Sequence, residues 1–126
     1  MRCVIFVGFL VACGAPDAGS QQPDAAGPPV SFHTDVAPLV DHCGGELCHG
    51  GVGLSWPYAS LVDQPANECS DHVLVTPGDP GHSYLIAKLT GTGMCSGARM
   101  PKGGSPLSST DLDTIERWVA QGALNN

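Results

Sequence analysis

Six cysteines are what most constrain this chain, because the rest of its composition is poorly suited to holding a fold together unaided. Glycine takes 17 of the 126 positions, proline 11, and aromatic side chains only 6%. That mix limits the apolar surface available for a core, and small domains so placed depend on covalent or cofactor staples. The length accommodates one small domain and no second one. Where the cysteines go therefore decides the fold class.

The earliest residues read as an export address. Arg2 supplies a positive start, Val4 to Val11 is an apolar run interrupted by Gly8, and Leu10-Val11-Ala12-Cys13 sets small residues before a cysteine. The run is much shorter than the roughly 20 apolar residues a transmembrane helix needs. It resembles the bacterial lipoprotein signal, which implies a signal peptide over residues 1–12 and lipid on Cys13. An ordinary cleaved secretory peptide is the alternative, and both imply an oxidising compartment. Gly14 after the cysteine resembles the outer-membrane sorting pattern, so the expected location is the outer membrane, facing the periplasm.

Residues 13–30 hold the lipidated cysteine and a linker rich in Pro, Gly, Ala, Ser and Gln without apolar periodicity. A flexible tether of that length reaches roughly 20 to 25 Å. The folded domain is expected over residues 31–126. With 5 Lys and Arg against 12 Asp and Glu, the chain has a formal charge of −7, and losing Arg2 makes it more acidic still. Nucleic acid is excluded as a partner, because binding phosphates requires a basic footprint.

The domain reads as all-α, with about three to four short helices joined by long loops. Phe32, Val36, Leu39 and Val40 have helical spacing, Thr34 or Asp35 can cap the start, and Pro38 is tolerable in a first turn. A second helical segment is expected from Trp56 to Val62, with Pro57 near its start. Ser83 is positioned to cap a third, in which Tyr84, Leu85, Lys88 and Leu89 recur at three- and four-residue steps. In the last, Ser108 and Asp111 form a capping box, Leu112, Ile115, Trp118 and Val119 share a face, and Gly122 ends the helix. Val73-Leu74-Val75 is too short and too close to Pro77-Gly78 to count as a strand, so none is expected. The first and last helices should pack together and leave the loops to wrap a cofactor.

The segment Cys43-Gly44-Gly45-Glu46-Leu47-Cys48-His49 carries the chemistry. It is a widened C-x-x-C-H haem-attachment signature. In such a site each thiol adds to a porphyrin vinyl group as a thioether, and the following imidazole ligates the iron. Gly44 and Gly45, lacking Cβ, can absorb the two extra residues. A local disulfide between Cys43 and Cys48 is a competing reading, and zinc on Cys43, Cys48 and His49 a weaker one, because no second ligand pair has suitable spacing. Met100-Pro101 offers a sixth iron ligand: a thioether is a soft neutral donor that raises the potential, and the proline stiffens its loop. Met94, His33, His42, His72 and His82 are the alternative ligands.

These features together resemble the class I cytochrome c domains, particularly the small lipoprotein cytochromes of bacteria. The resemblance runs from about Phe32 to Ala123 and rests on Asp35-Val36 through Leu39, Cys48-His49-Gly50, Pro77-Gly78 through Ser83, Met100-Pro101 and Leu107 through Gly122. It implies a cytochrome c-like fold around one covalent haem c, thioethers from Cys43 and Cys48, proximal His49 and distal Met100. Redox proteins are the implied partners, with the membrane reached through the lipid anchor.

Beyond Cys3 in the signal peptide, Cys69 and Cys95 remain. A disulfide between them would close a loop of about 27 residues, worth roughly 3.5 kcal/mol in the chain-entropy model, and would brace the segment before Met100. Arg99 is a candidate propionate donor, since a guanidinium fork matches a carboxylate. Trp56 and Tyr58 suit either the haem pocket or core packing. No nucleophile elbow, H-E-x-x-H helix or phosphate loop is present, so single-electron transfer is favoured over substrate chemistry. Two other functions stay open: a haem-free, disulfide-stapled lipoprotein module, and a haem sensor or peroxidase-like enzyme in which Met100 is displaced.

Overall fold

The computed structural model describes residues 25–41 and 57–126. Within them the chain forms a small, mostly helical unit with three α-helices and one two-stranded antiparallel hairpin. None of the described helices is long and apolar enough to cross a membrane.

Ser31 starts the first helical segment. Its hydroxyl accepts from the Thr34 amide at 3.4 Å, and the Asp35 carboxylate accepts from the Ser31 amide at 2.8 Å. The cap is therefore Ser31, three or four residues before the expected Thr34 or Asp35, while Asp35 supplies the reciprocal half of the box. The backbone opens with a wide π-type turn over Phe32–Val36 and tightens into α1, Ala37–Asp41. The wide turn lies just before Pro38, whose ring would crowd the carbonyl four residues back in a regular α-helix. Phe32, Val36 and Val40 are buried, as their spacing predicts.

The helix expected from Trp56 to Val62 is a single 3-10 turn over Tyr58–Ser60, so that expectation is corrected; Trp56 lies outside the described residues. Leu61 closes the turn in the right-handed helical region, Val62 bridges to Val75, and the Asp63 amide donates to the Val75 carbonyl at 3.0 Å. Strand β1, Pro65–Ala66, and strand β2, Cys69–Val73, then pair antiparallel with a register irregularity. This hairpin corrects the expectation that no strand would form, while the described residues stay mostly helical. It escaped the sequence rules because Ser70, Asp71 and His72 of β2 are all exposed, so no period of two is written in the residues. Pro65 takes the first position of its strand, where a missing amide matters least.

Helix α2, Tyr84–Thr90, begins where Ser83 places it, but Ser83 makes no side-chain cap bond. Its hydroxyl donates to the Asp79 carbonyl at 2.8 Å and accepts from the Thr76 amide at 2.9 Å, folding the Pro77–Pro80 turn onto the helix start. Ser83 is 2% exposed, so these bonds satisfy a hydroxyl removed from water.

Helix α3, Ser109–Ala120, follows its sequence closely. The Asp111 amide donates to the Ser108 hydroxyl at 3.1 Å, and that hydroxyl donates to the Asp111 carboxylate at 2.7 Å. At the other end the Ala123 amide reaches the Trp118 carbonyl at 2.8 Å and the Gly122 amide the Val119 carbonyl at 3.0 Å. That bond pair is a Schellman motif, with Gly122 at φ +98°, a conformation natural to glycine.

Ile115, Trp118 and Val119 are fully buried on one face of α3. Trp118 packs on Phe32 at a ring separation of 5.3 Å, Tyr58 meets Phe32 edge-on at 5.4 Å, and the indole N–H donates to the Leu124 carbonyl at 2.9 Å. The first and last helical segments are thus packed together as expected, with the half-buried Tyr58 packed against their core. Contacts reach back before Ser31: the Gln121 amide donates to the carbonyls of Gly27 and Pro28 and accepts from the Val30 amide at 2.9 Å. Val30 is buried.

Candidate functional site

Between α1, the hairpin and α2 lies a cavity of about 390 Å³, within the range of small-molecule and cofactor pockets. Val40, Leu61, Leu74, Leu85, Leu89 and Met100 supply an apolar lining. These residues come from separate parts of the fold: the end of α1, the turn after Tyr58, the strand exit at Leu74, the face of α2 and the loop that follows it.

Met100 is half-buried and packs against the main core. Its amide donates to the Lys88 carbonyl at 2.8 Å, which pins the start of the Met100-Pro101 loop to the last turn of α2. Met94, the rival methionine, is not among the cavity's lining residues. Arg99 donates through Nη1 to the Met100 carbonyl at 3.1 Å and through Nη2 to the Gly104 carbonyl at 3.2 Å. In this arrangement its guanidinium ties the loop together around the methionine.

The polar part of the cavity was not read from the sequence. Lys88, only 10% exposed in its side chain, donates through Nζ to the Glu68 carboxylate at 2.6 Å and to the Ser96 carbonyl at 3.3 Å. The Tyr84 hydroxyl approaches the same Glu68 oxygen at 3.5 Å and accepts from the Cys95 amide at 3.3 Å. Glu68, Tyr84 and Lys88 all line the cavity. A signal for Lys88 existed, since a lysine recurring with Tyr84, Leu85 and Leu89 sits in the buried stripe of its helix and needs an anionic partner. The partner itself, 20 residues away, was not legible.

Cys69 and Cys95 form a disulfide, with Cα atoms 5.6 Å apart and a sequence separation of 26. It fastens the hairpin to the loop that leads into Met100. Of the alternative histidine ligands, His33 is exposed, His82 pairs with the Asp79 carboxylate at 2.7 Å, and His72 lies exposed beside Cys69. Cys13, Cys43, Cys48, His49 and His42 lie outside the described residues.

The residues present suit an apolar group with a polar margin. Val40, Leu61, Leu74, Leu85 and Leu89 share the lining with Met100, and Glu68 and Lys88 are part of it as well. Val40, part of that lining, stands three positions before Cys43 in the sequence. A scan against protein-family models, a search of the curated proteins and a search of the solved structures each found no match.

Proposed function

We propose that this chain is an exported, membrane-tethered monohaem c-type cytochrome that carries single electrons. One observation carries the proposal: Met100 and Val40 line the same cavity, although 60 positions separate them. The methionine chosen as distal ligand and the helix end that leads into the haem-attachment motif are therefore neighbours across one apolar space.

In this reading Cys43 and Cys48 would hold haem c by thioethers, and His49 and Met100 would be the ligands of its iron. Haem c so held supplies reversible one-electron iron chemistry. The protein's own part is to position and shield. Leu61, Leu74, Leu85 and Leu89 exclude water, which lowers the local dielectric and favours the less charged ferrous form. Arg99 and the Lys88 carbonyl fix the backbone on either side of the Met100 sulfur, and the Cys69–Cys95 bond anchors that loop to the hairpin. A ligand held this firmly moves little when the iron changes charge. Cys13 tethers the domain to the outer membrane in the periplasm, where redox proteins are its partners.

The test is to produce the chain in an export-competent host that loads haem and to weigh it intact. The expected result is a mass increment of one haem and a Soret band that stays with the protein through acid-acetone extraction. Colourless protein with Cys43 and Cys48 joined to each other would refute the proposal. A haem protein that binds added ligands without reduction would instead support the sensor or peroxidase-like reading.

A further inference from the structure

The corner where the hairpin meets the Met100 loop gathers three metal-ligating side chains outside the cavity. The Cys69 sulfur, the Cys95 sulfur and a ring nitrogen of His72 all lie within 4.8 Å of one another, with His72 Nδ1 3.0 Å from the Cys69 sulfur. His72 is exposed on β2, and its ring rests edge-on against Tyr84 at 5.8 Å, which fixes the direction of its nitrogens. Cys95 is exposed while Cys69 is buried, so the trio opens to solvent on one side.

We propose that Cys69, Cys95 and His72 form a zinc site that replaces the disulfide when the disulfide is reduced. Zinc takes sulfur at about 2.3 Å and imidazole nitrogen at about 2.0 to 2.1 Å, which places tetrahedral donor atoms roughly 3.5 to 3.8 Å apart. The donors here already stand within that neighbourhood, so the change required is separation of the two sulfurs. A dithiol reductant supplies it: the Cys69–Cys95 bond breaks, each sulfur receives one electron and one proton, and the reductant leaves as its own disulfide. Zinc then displaces both thiol protons to solvent and takes the free electron pair of His72 Nδ1. Two thiolates balance the dication, so the site is neutral, and water fills the fourth position on the exposed side. The hairpin and the Met100 loop stay fastened in both states, by sulfur to sulfur in one and through metal in the other.

The full exported chain serves for the test, after dithiol reduction and anaerobic removal of the reductant, with zinc titrated against a chromophoric chelator. The reference is the Cys69→Ser/Cys95→Ser chain treated identically, which cancels zinc taken by any other cysteine and makes the result independent of haem loading. We expect the reduced parent to bind one more equivalent than this reference and the oxidised parent to bind no more. His72→Ala, a change at an exposed position, should weaken the extra equivalent about tenfold or more. Equal stoichiometry in the reduced parent and the reference overturns the proposal. So does undiminished affinity in His72→Ala, or zinc uptake by a reduced chain whose helical circular dichroism is lost.

Discussion

Replacing Gly97 with alanine tests how closely the Met100 loop is laid on the Glu68–Lys88 pair. Gly97 has φ +76°, and a Cβ built there would stand 3.0 Å from both Glu68 Oε1 and Lys88 Nζ. Two effects add. A non-glycine residue held in the left-handed region loses roughly 1 to 2 kcal/mol. The new methyl also pushes into an ion pair whose lysine is 10% exposed and cannot swing freely into water. Displacing a charge-assisted hydrogen bond costs about 1.5 to 3 kcal/mol, and Glu68 at 44% exposure puts this case at the lower end. The total is about 3 kcal/mol. Gly93 separates the two effects, because it has φ +74° but nothing within 4 Å of its Cβ position. Gly93→Ala therefore carries the backbone effect alone, about 1 to 2 kcal/mol, and any gain from a stiffer unfolded chain cancels in the comparison. Urea unfolding of both oxidised proteins, extrapolated to water, is the assay. Stability losses within about 0.5 kcal/mol of each other would refute the claim that the loop backbone rests on the ion pair.

Three further outcomes follow from the same structure. Under the proposed function, Met100→Ala should lower the midpoint potential of haem-loaded protein markedly and admit exogenous ligands, and an unchanged spectrum and potential would overturn the assignment of Met100 as iron ligand. Replacing Cys69 and Cys95 together by serine should lower stability by roughly 3.5 kcal/mol through the closed loop while haem is retained, as calorimetry and absorbance together would show. Burial, with a smaller contribution from Asp113, holds the Glu116 carboxyl above its ordinary value of 4.5. A raised folded value favours the protonated form, so this group's stabilisation is fully present below the unfolded value and is lost as pH rises through the folded one. Glu116→Gln should accordingly be more stable than the parent at neutral pH, with the advantage vanishing near pH 4; equal midpoints at both pH values would count against it.

Much of the helical framework was legible because its signals are local. The Ser108 and Asp111 box, the Ile115, Trp118 and Val119 stripe and the Gly122 stop each act within a few residues, and α3 follows them. The hairpin was not legible, since Cys69–Val73 shows no alternation and its pairing partner is the two-residue strand Pro65–Ala66. The Trp56 to Val62 expectation failed for a related reason. After one 3-10 turn, Leu61 and Val62 gain more from burial in the core and pairing with the strand exit at Val75 than from continuing a helix.

The candidate site divides along the same line. Residue order alone displays the cysteine-histidine segment from Cys43 to His49, the apolar run before Cys13, the Met100-Pro101 dipeptide and the Cys69 and Cys95 pair, because each is a local chemical pattern. Only the tertiary structure decided that Met100 and Val40 share a cavity, that Arg99 ties its own loop, that Lys88 meets Glu68, and that His72 stands beside the disulfide. Each of those depends on the direction in which side chains leave separate elements. That direction is set by how the elements pack, and packing is a property of residues distant in the chain.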